Sequence, residues 1–172
     1  MSKIAGIKGH SPEAYGDTGD KSGIQILSAV HNPTLVVPTL VFTSLLQAQG
    51  PIEVEAGAGD RAIVMFSGVF LDPNQNSEGP TPGTITVTVE IAVSNDGGPF
   101  TSVYATQFTV PFPGFNPAPV SYSVFFETTP GELTAGLNAI DVRAEVSTTA
   151  SPDPGLNVTS VNASAVVIVT PV

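Results

Sequence analysis

The chain has 172 residues, no cysteine and no tryptophan, and its fifteen acidic and five basic residues give it a net charge of −10. This length suits one domain with a two-layer core. So negative a surface repels phosphate groups, and we expect neither nucleic acids nor anionic membranes as partners. The absence of cysteine excludes disulfides and thiolate metal sites.

Groups that could carry out catalysis are scarce. Both histidines, His10 and His31, lie in the first 33 residues, so the rest of the chain offers no imidazole base for a serine nucleophile. A pair of carboxylates is the remaining option, and the sequence supplies no partner for any one acid. The Gly57–Ala62 segment loosely fits a dinucleotide-binding fingerprint, but a strand is predicted where a helix is needed. We expect no enzyme activity and no cofactor.

The first 34 residues of the chain differ from the rest in charge. All three lysines lie within residues 1–34, which are neutral overall, whereas residues 35–172 carry the whole net charge. Residues 1–33 show no sustained hydrophobic period and predict an extended arm that docks on a neighbouring subunit. A terminus that docks on nothing is the alternative. The predicted docking residues of the arm are Ile4, Ile7, Lys8, Lys21, Ile24 and Ile26.

The remaining residues, 34–172, predict a β-sandwich domain. Alternating or continuous apolar segments are separated by turns rich in Gly, Pro, Asn and Asp. The Thr84–Val93 segment alternates without a fault, which indicates one buried and one exposed face. Arg61–Leu71 is apolar on both faces, as is typical of a central strand. The predicted strands are 34–46, 51–56, 61–71, 84–93, 102–110, 120–128, 139–147 and 158–169.

About eight strands without helical periodicity predict an all-β fold, a jelly-roll-type antiparallel β-sandwich. Three features resemble TNF/C1q-like jelly rolls over residues 40–172: the turn Glu55–Arg61, the hairpin turn Ser94–Gly98, and the closing strand pair. The order also resembles that of jelly-roll subunits of spore appendages, which join through an N-terminal connector. Those connectors usually carry cysteines, so a link of that kind in this chain would be non-covalent.

Fold and arm together predict a structural subunit that assembles with copies of itself into a filament, appendage or surface layer. The arm would add a strand to an exposed sheet edge of the next copy. The alternative, which the TNF/C1q resemblance implies, is a trimeric head that recognises a sugar or a protein. Either function places the protein at a cell, spore or virion surface or outside the cell, although the N-terminus shows no signal peptide. No segment is apolar enough for membrane insertion.

Calcium is the one metal that the loops suggest. Asp72, Glu78 and Asp96 lie in predicted loops, and calcium binds several oxygen ligands supplied by such segments. Asp and Asn are also the usual residues of turns, so turn formation is the alternative role.

The alternation in Thr84–Val93 yields a direct test of which face is buried. We expect Val89→Asp to lower the free energy of unfolding by more than about 3 kcal/mol, because it buries an unpaired charge. Thr88→Asp, on the opposite face, should cost less than about 1 kcal/mol. Urea unfolding of the two variants measures the difference, and equal losses would show that the assignment of faces is wrong.

Overall fold

The computed structural model describes residues 24–31, 35–37, 40–46, 49–71, 83–112, 119–149 and 158–172. These residues form ten β-strands, and they include no helix long and apolar enough to cross a membrane. The strands are β1 (Gln25–His31), β2 (Leu35–Val37), β3 (Thr43–Ser44), β4 (Ile52–Ala56), β5 (Arg61–Leu71), β6 (Gly83–Asn95), β7 (Thr101–Phe112), β8 (Val120–Glu127), β9 (Gly136–Thr149) and β10 (Val158–Thr170).

The strands form two antiparallel sheets. Sheet A has the order β1-β10-β5-β8, with β2 also on β10, and sheet B has the order β3-β9-β6-β7, with β4 also on β9. Because β1 and β2 pair with successive parts of β10, and β3 and β4 with successive parts of β9, each layer is about four strands wide. The chain passes repeatedly from one layer to the other, as in a jelly roll. The predicted fold class is confirmed.

The core lies between the sheets and is formed by alternate side chains of each strand. On β6, the residues Ile85, Val87, Val89 and Ile91 are fully buried, as their alternation predicted. Burial of side chains of this kind stabilises the fold by about 1.5–3 kcal/mol each. The long apolar strands therefore supply most of the driving force for folding.

The hairpin turn predicted at Ser94–Gly98 is confirmed. Asp96 and Gly97 both have positive φ, at 51° and 72°, and the Gly98 amide donates a hydrogen bond to the Asn95 carbonyl oxygen over 2.9 Å. These values match a type I′ turn, whose twist suits the right-handed twist of the flanking strands. Beyond the turn, the register of β6 against β7 shifts between Ile91 and Ala92, where the ladder is irregular.

Strand β1 corrects the inner end of the predicted arm. It lies within residues 1–33, yet it pairs along its whole length with β10 of the same chain. Ala29 is buried and Leu27 packs against the core, because alternate side chains of β1 point into the sandwich. This part of the chain is an edge strand of its own domain. Residues 1–23, the rest of the predicted arm, lie outside the described residues.

A close approach between β5 and β8 organises the aromatic part of the core. Gly68 lies opposite Tyr122, and a Cβ at Gly68 would be 2.5 Å from the Tyr122 hydroxyl oxygen. The absence of a side chain lets the Tyr122 ring stack on Phe70, with centroids 4.0 Å apart. The Tyr122 hydroxyl oxygen lies 3.1 Å from Ser160 Oγ. Burial raises the pKa of Tyr122 far above its usual range. The Tyr122 hydroxyl therefore stays protonated.

This contact makes glycine a steric requirement at position 68. We expect Gly68→Ala to lower the free energy of unfolding by about 2–3 kcal/mol, because the added methyl group displaces the Tyr122 ring. In a Tyr122→Ala background, the same substitution should cost much less, since the clashing atoms are gone. Urea unfolding of the two single variants and the double variant gives the coupling energy. Additive losses would contradict the proposed contact.

Candidate functional site

The outer side of sheet A is an apolar surface that spans four strands. Its side chains alternate with those that point into the core. We call the following six residues the apolar face: Ile26 on β1, Ile63 and Met65 on β5, Phe125 on β8, and Val166 and Ile168 on β10. Ile26 is 70% exposed and Phe125 is 65% exposed, so large apolar groups lie in water in a single copy. An exposed patch of this kind on a sheet marks an interaction surface.

Strand register brings these residues together from distant parts of the chain. Ile26, Ile168 and Ile63 occupy one row across β1, β10 and β5. Val166, Met65 and Phe125 occupy the next row, across β10, β5 and β8. Adjacent strands lie about 4.8 Å apart, so neighbours within a row are in contact distance of one another. The rows form one continuous surface.

Polar groups border the apolar face at both ends. At one end Arg61 and Glu127 form an exposed ion pair, with Nη1 and Oε1 3.2 Å apart. At the other end Ser67 Oγ and Ser164 Oγ lie 3.1 Å apart in a hydrogen bond. The apolar face thus ends at polar groups on β5, β8 and β10, whereas on β1 Val30, which lies opposite Ser164 and is 46% exposed, continues the apolar surface.

The two sheets differ sharply in charge. The strands of sheet A hold one arginine and one glutamate, which are paired with each other, so this sheet is neutral. The strands of sheet B hold five carboxylates and one arginine, a net charge of −4. The outer side of sheet B also carries polar residues such as Thr88, Gln107 and Thr109. Of the two sheets that the described residues form, sheet A is the one whose strands repel a second negatively charged molecule less.

The predicted docking residues are placed only in part. Ile26 belongs to the apolar face, and Ile24, 66% exposed, directly precedes β1. Ile4, Ile7, Lys8 and Lys21 lie outside the described residues, so their docking role stays a prediction. Met65 and Phe125 are not among the predicted docking residues. The signal available was the apolar character of β5 on both faces, which was attributed to a central position in the sheet.

The calcium candidates are not brought together in the described residues. Asp96 lies in the exposed turn between β6 and β7, where its amide donates a hydrogen bond to the Leu137 carbonyl oxygen over 2.9 Å. Asp72 and Glu78 lie outside the described residues. Within the described part of the chain, no three His, Cys, Asp or Glu side chains cluster as metal ligands would. A calcium site stays a prediction.

The outer side of sheet B holds a covered ion pair. Arg143 on β9 pairs with Glu90, which lies opposite it on β6. The guanidinium carbon of Arg143 lies 5.8 Å from the ring centroid of Phe42 and 5.4 Å from that of Phe100. The two rings shield the pair from water and add cation–π attraction. The alternation of apolar and polar residues along β9 is consistent with Arg143 on the outer side, but no local pattern shows that loop residues cover this side chain.

Asp141 belongs to the same covered region. Burial raises the pKa of its carboxyl group, against the opposing effects of a hydrogen bond from Ser44 Oγ to Oδ1 over 2.7 Å and the nearby charge of Arg143. Ser44 is in β3, so this bond ties the short edge strand to β9. The hydrogen bond thus holds an edge strand against its neighbour β9. Ionisation of Asp141 is unfavourable because its carboxyl group is buried.

The comparisons with known proteins concern fold. No protein-family model matches the chain, and no curated protein matches it. Among solved structures, infectious bursal disease virus of the Gt strain has a TM-score of 0.54 at 12% identity, over 96% of this chain and 36% of that one. T=1 particles derived from infectious bursal virus have a TM-score of 0.50 at 14% identity, over 96% and 36%.

The chain therefore spans about a third of the length of these viral proteins. The Eiger TNF of S. frugiperda has a TM-score of 0.47 at 12% identity, over 83% of this chain and 91% of that one. The jelly-roll resemblance seen in the sequence is confirmed as a likeness of fold. At these identities it defines the class of fold, a jelly-roll β-sandwich, and nothing narrower.

The raised pKa of Asp141 predicts a particular dependence of stability on pH. Because the folded protein binds this proton more tightly than the unfolded chain, stability should fall as the pH rises above about 3.9, the ordinary aspartate value, through the folded pKa. Asp141→Asn removes the titrating group. We expect the variant to gain stability relative to the wild type over this window and to keep the gain at neutral pH.

Urea unfolding between acid and neutral pH measures this gain. Ser44→Ala is a matched second variant, because it removes a hydrogen bond that lowers the Asp141 pKa and should extend the window upward. A difference between wild type and Asp141→Asn that does not change with pH would contradict a raised pKa.

Proposed function

We propose that this protein is a structural, non-catalytic subunit that assembles with copies of itself through the outer side of sheet A. The observation that carries the proposal is the apolar face, a continuous group of six side chains on a neutral sheet in a chain of net charge −10. Copies of such a chain repel one another wherever their acidic surfaces meet. The apolar face is where that repulsion is smallest and the gain from burial is largest.

The fold supports the same function. The viral structures that share it include particles built from many copies, and a sandwich with one apolar outer side suits a subunit whose second side is covered by a neighbour. In this proposal the assembly is a filament, an appendage or a surface layer at a cell, spore or virion surface. It requires no cofactor. The alternative is the trimeric binding head, in which the same face would close a ring of three.

In this proposal the docking arm is shorter than the sequence predicts. Since β1 belongs to its own sandwich, the segment left to reach a neighbour is residues 1–23. The Gln25 side chain, at the start of β1, donates a hydrogen bond from Nε2 to the Glu55 carbonyl oxygen over 2.6 Å. The first residue of β1 thus lies beside β4, whose Glu53 and Glu55 are exposed. The arm lysines, of which Lys21 is nearest to β1, would meet acidic groups of this kind on the next copy.

Substitution at the centre of the apolar face tests the proposal. We expect the wild type to form particles larger than one chain and Phe125→Asp to weaken self-association at least about 30-fold, the effect of losing a hot-spot contact. Phe125 is largely exposed, so the fold should be unchanged by circular dichroism. Light scattering and electron microscopy measure particle size and shape.

Thr109→Asp is the matched control, because it adds the same charge to an exposed position on the outer side of sheet B. It should assemble as the wild type does. A wild type that stays monomeric at high concentration, or equal effects of the two substitutions, would refute assembly through sheet A. A fixed mass of three chains would select the trimeric head over the filament.

A further inference from the structure

We infer that Leu40 and Val41 form a second assembly surface that binds the apolar face of another copy. We call these two residues the apolar knob. The inference rests on the proposed function, because it names the occupant of the apolar face. It adds that the contact joins two unlike surfaces of the chain.

The first observation is the backbone of Leu40. Its φ is 55°, in the left-handed region that a bulky residue seldom adopts. Among the described residues other than glycine, Asp96 and Asn162 also have positive φ, and both are types that tolerate it. A glycine or an asparagine at position 40 would avoid the strain. The chain nevertheless has a leucine in this strained conformation, which indicates that the leucine side chain has a role there.

The second observation is exposure. Leu40 is 70% exposed and Val41 is 60% exposed, so neither side chain gains much from burial within one copy. A residue that is both strained and exposed lowers the stability of the monomer. Burial of the leucine in a contact with another molecule would offset this loss of stability.

The third observation is the firm attachment of the knob. The Leu40 amide donates a hydrogen bond to the Val146 carbonyl oxygen over 3.1 Å, and the Leu45 amide donates one to the Val142 carbonyl oxygen over 2.8 Å. Between them, Phe42 lies against Arg143. Both ends of the segment are thus bound to β9. A side chain held in this way loses little entropy on binding.

In the proposed self-assembly the partner is a second copy, and charge selects sheet A as the place on that copy where the knob binds. Each copy carries a net charge of −10, so two copies can meet closely only through surfaces without net charge. The knob is uncharged, and the apolar face lies on the neutral sheet. The strands of sheet B, with a net charge of −4, offer no comparable surface. The uncharged knob and the uncharged face therefore suit each other.

The knob is attached to a strand of sheet B, and the face belongs to sheet A. A contact between them is heterologous, because one copy contributes its knob and the other copy contributes its apolar face. Each bound copy then still offers one free knob and one free face. Such contacts close into a ring or continue as an open array, and they do not stop at a dimer.

The test uses full-length protein and a knob variant, Leu40→Gly with Val41→Ser. Glycine relieves the strain at position 40, so the melting temperature should stay the same or rise. Self-association should weaken at least about 30-fold, the effect of losing a hot-spot contact. Asn162→Gly is the matched control, because it also introduces a glycine at an exposed residue whose φ is nearly the same as that of Leu40. It should assemble as the wild type does. Val41→Ser alone leaves the backbone at Leu40 intact and should also weaken assembly.

A mixing experiment tests the heterologous contact. The knob variant keeps an intact face, and Phe125→Asp keeps an intact knob. Each should be monomeric alone, and an equal mixture should form dimers of one chain of each kind and nothing larger, as measured by light scattering and native mass spectrometry.

The outcomes separate this inference from the proposed function. If the knob variant assembles as the wild type does while Phe125→Asp is monomeric, the knob inference fails and assembly through sheet A stands. A knob variant that forms dimers with itself would show that two apolar faces bind each other, and it would also overturn the inference. If Phe125→Asp assembles normally, the proposed function fails, and the inference fails with it.

Discussion

The apolar character of both sides of sheet A is the constraint on which the rest of the structure depends. In a strand, successive side chains point to opposite faces, so a strand that is apolar throughout needs a cover on both sides. On β5, Val64 and Phe66 are buried against sheet B, while Ile63 and Met65 belong to the apolar face. One side is covered by the chain itself. The other side is left for a second molecule, and the proposed assembly follows from it.

Charge works with this constraint. Of the nine acidic residues in the described part of the chain, five lie on strands of sheet B and one on a strand of sheet A, and the neutral sheet is also the apolar one. This separation lets a strongly negative chain stay soluble while it keeps one face on which copies can meet. A covered ion pair, Arg143 with Glu90, lies on the outer side of sheet B beneath Phe42 and Phe100. Its contact with Phe42 helps to hold the loop that carries Leu40 and Val41, which form the surface that we propose for the second contact.

The likeness to the fold of the viral structures has a physical explanation that requires no shared sequence. Two antiparallel layers with crossing connections satisfy the backbone hydrogen bonds of a chain rich in β-branched residues. Such a sandwich has two outer sides, and the residues on them vary without disturbing the core. The fold is consequently a poor guide to function, and the distribution of apolar and charged residues over its outer sides is a better one.

The sequence alone determined most of the strands, their buried faces and the turns between them, because these depend on neighbours in the chain. The alternation in β6, the Asp96–Gly97 turn and the all-β class are of this kind. The predicted strand over 34–46 was wrong: that segment contains β2 and β3, which belong to different sheets. The tertiary structure decided which strands are neighbours. It placed Gln25–His31 in its own sandwich rather than in an arm, and it covered Arg143 with two distant aromatic rings. It also brought Ile26, Phe125 and Val166 to one surface, since strand register joins residues that no local pattern relates.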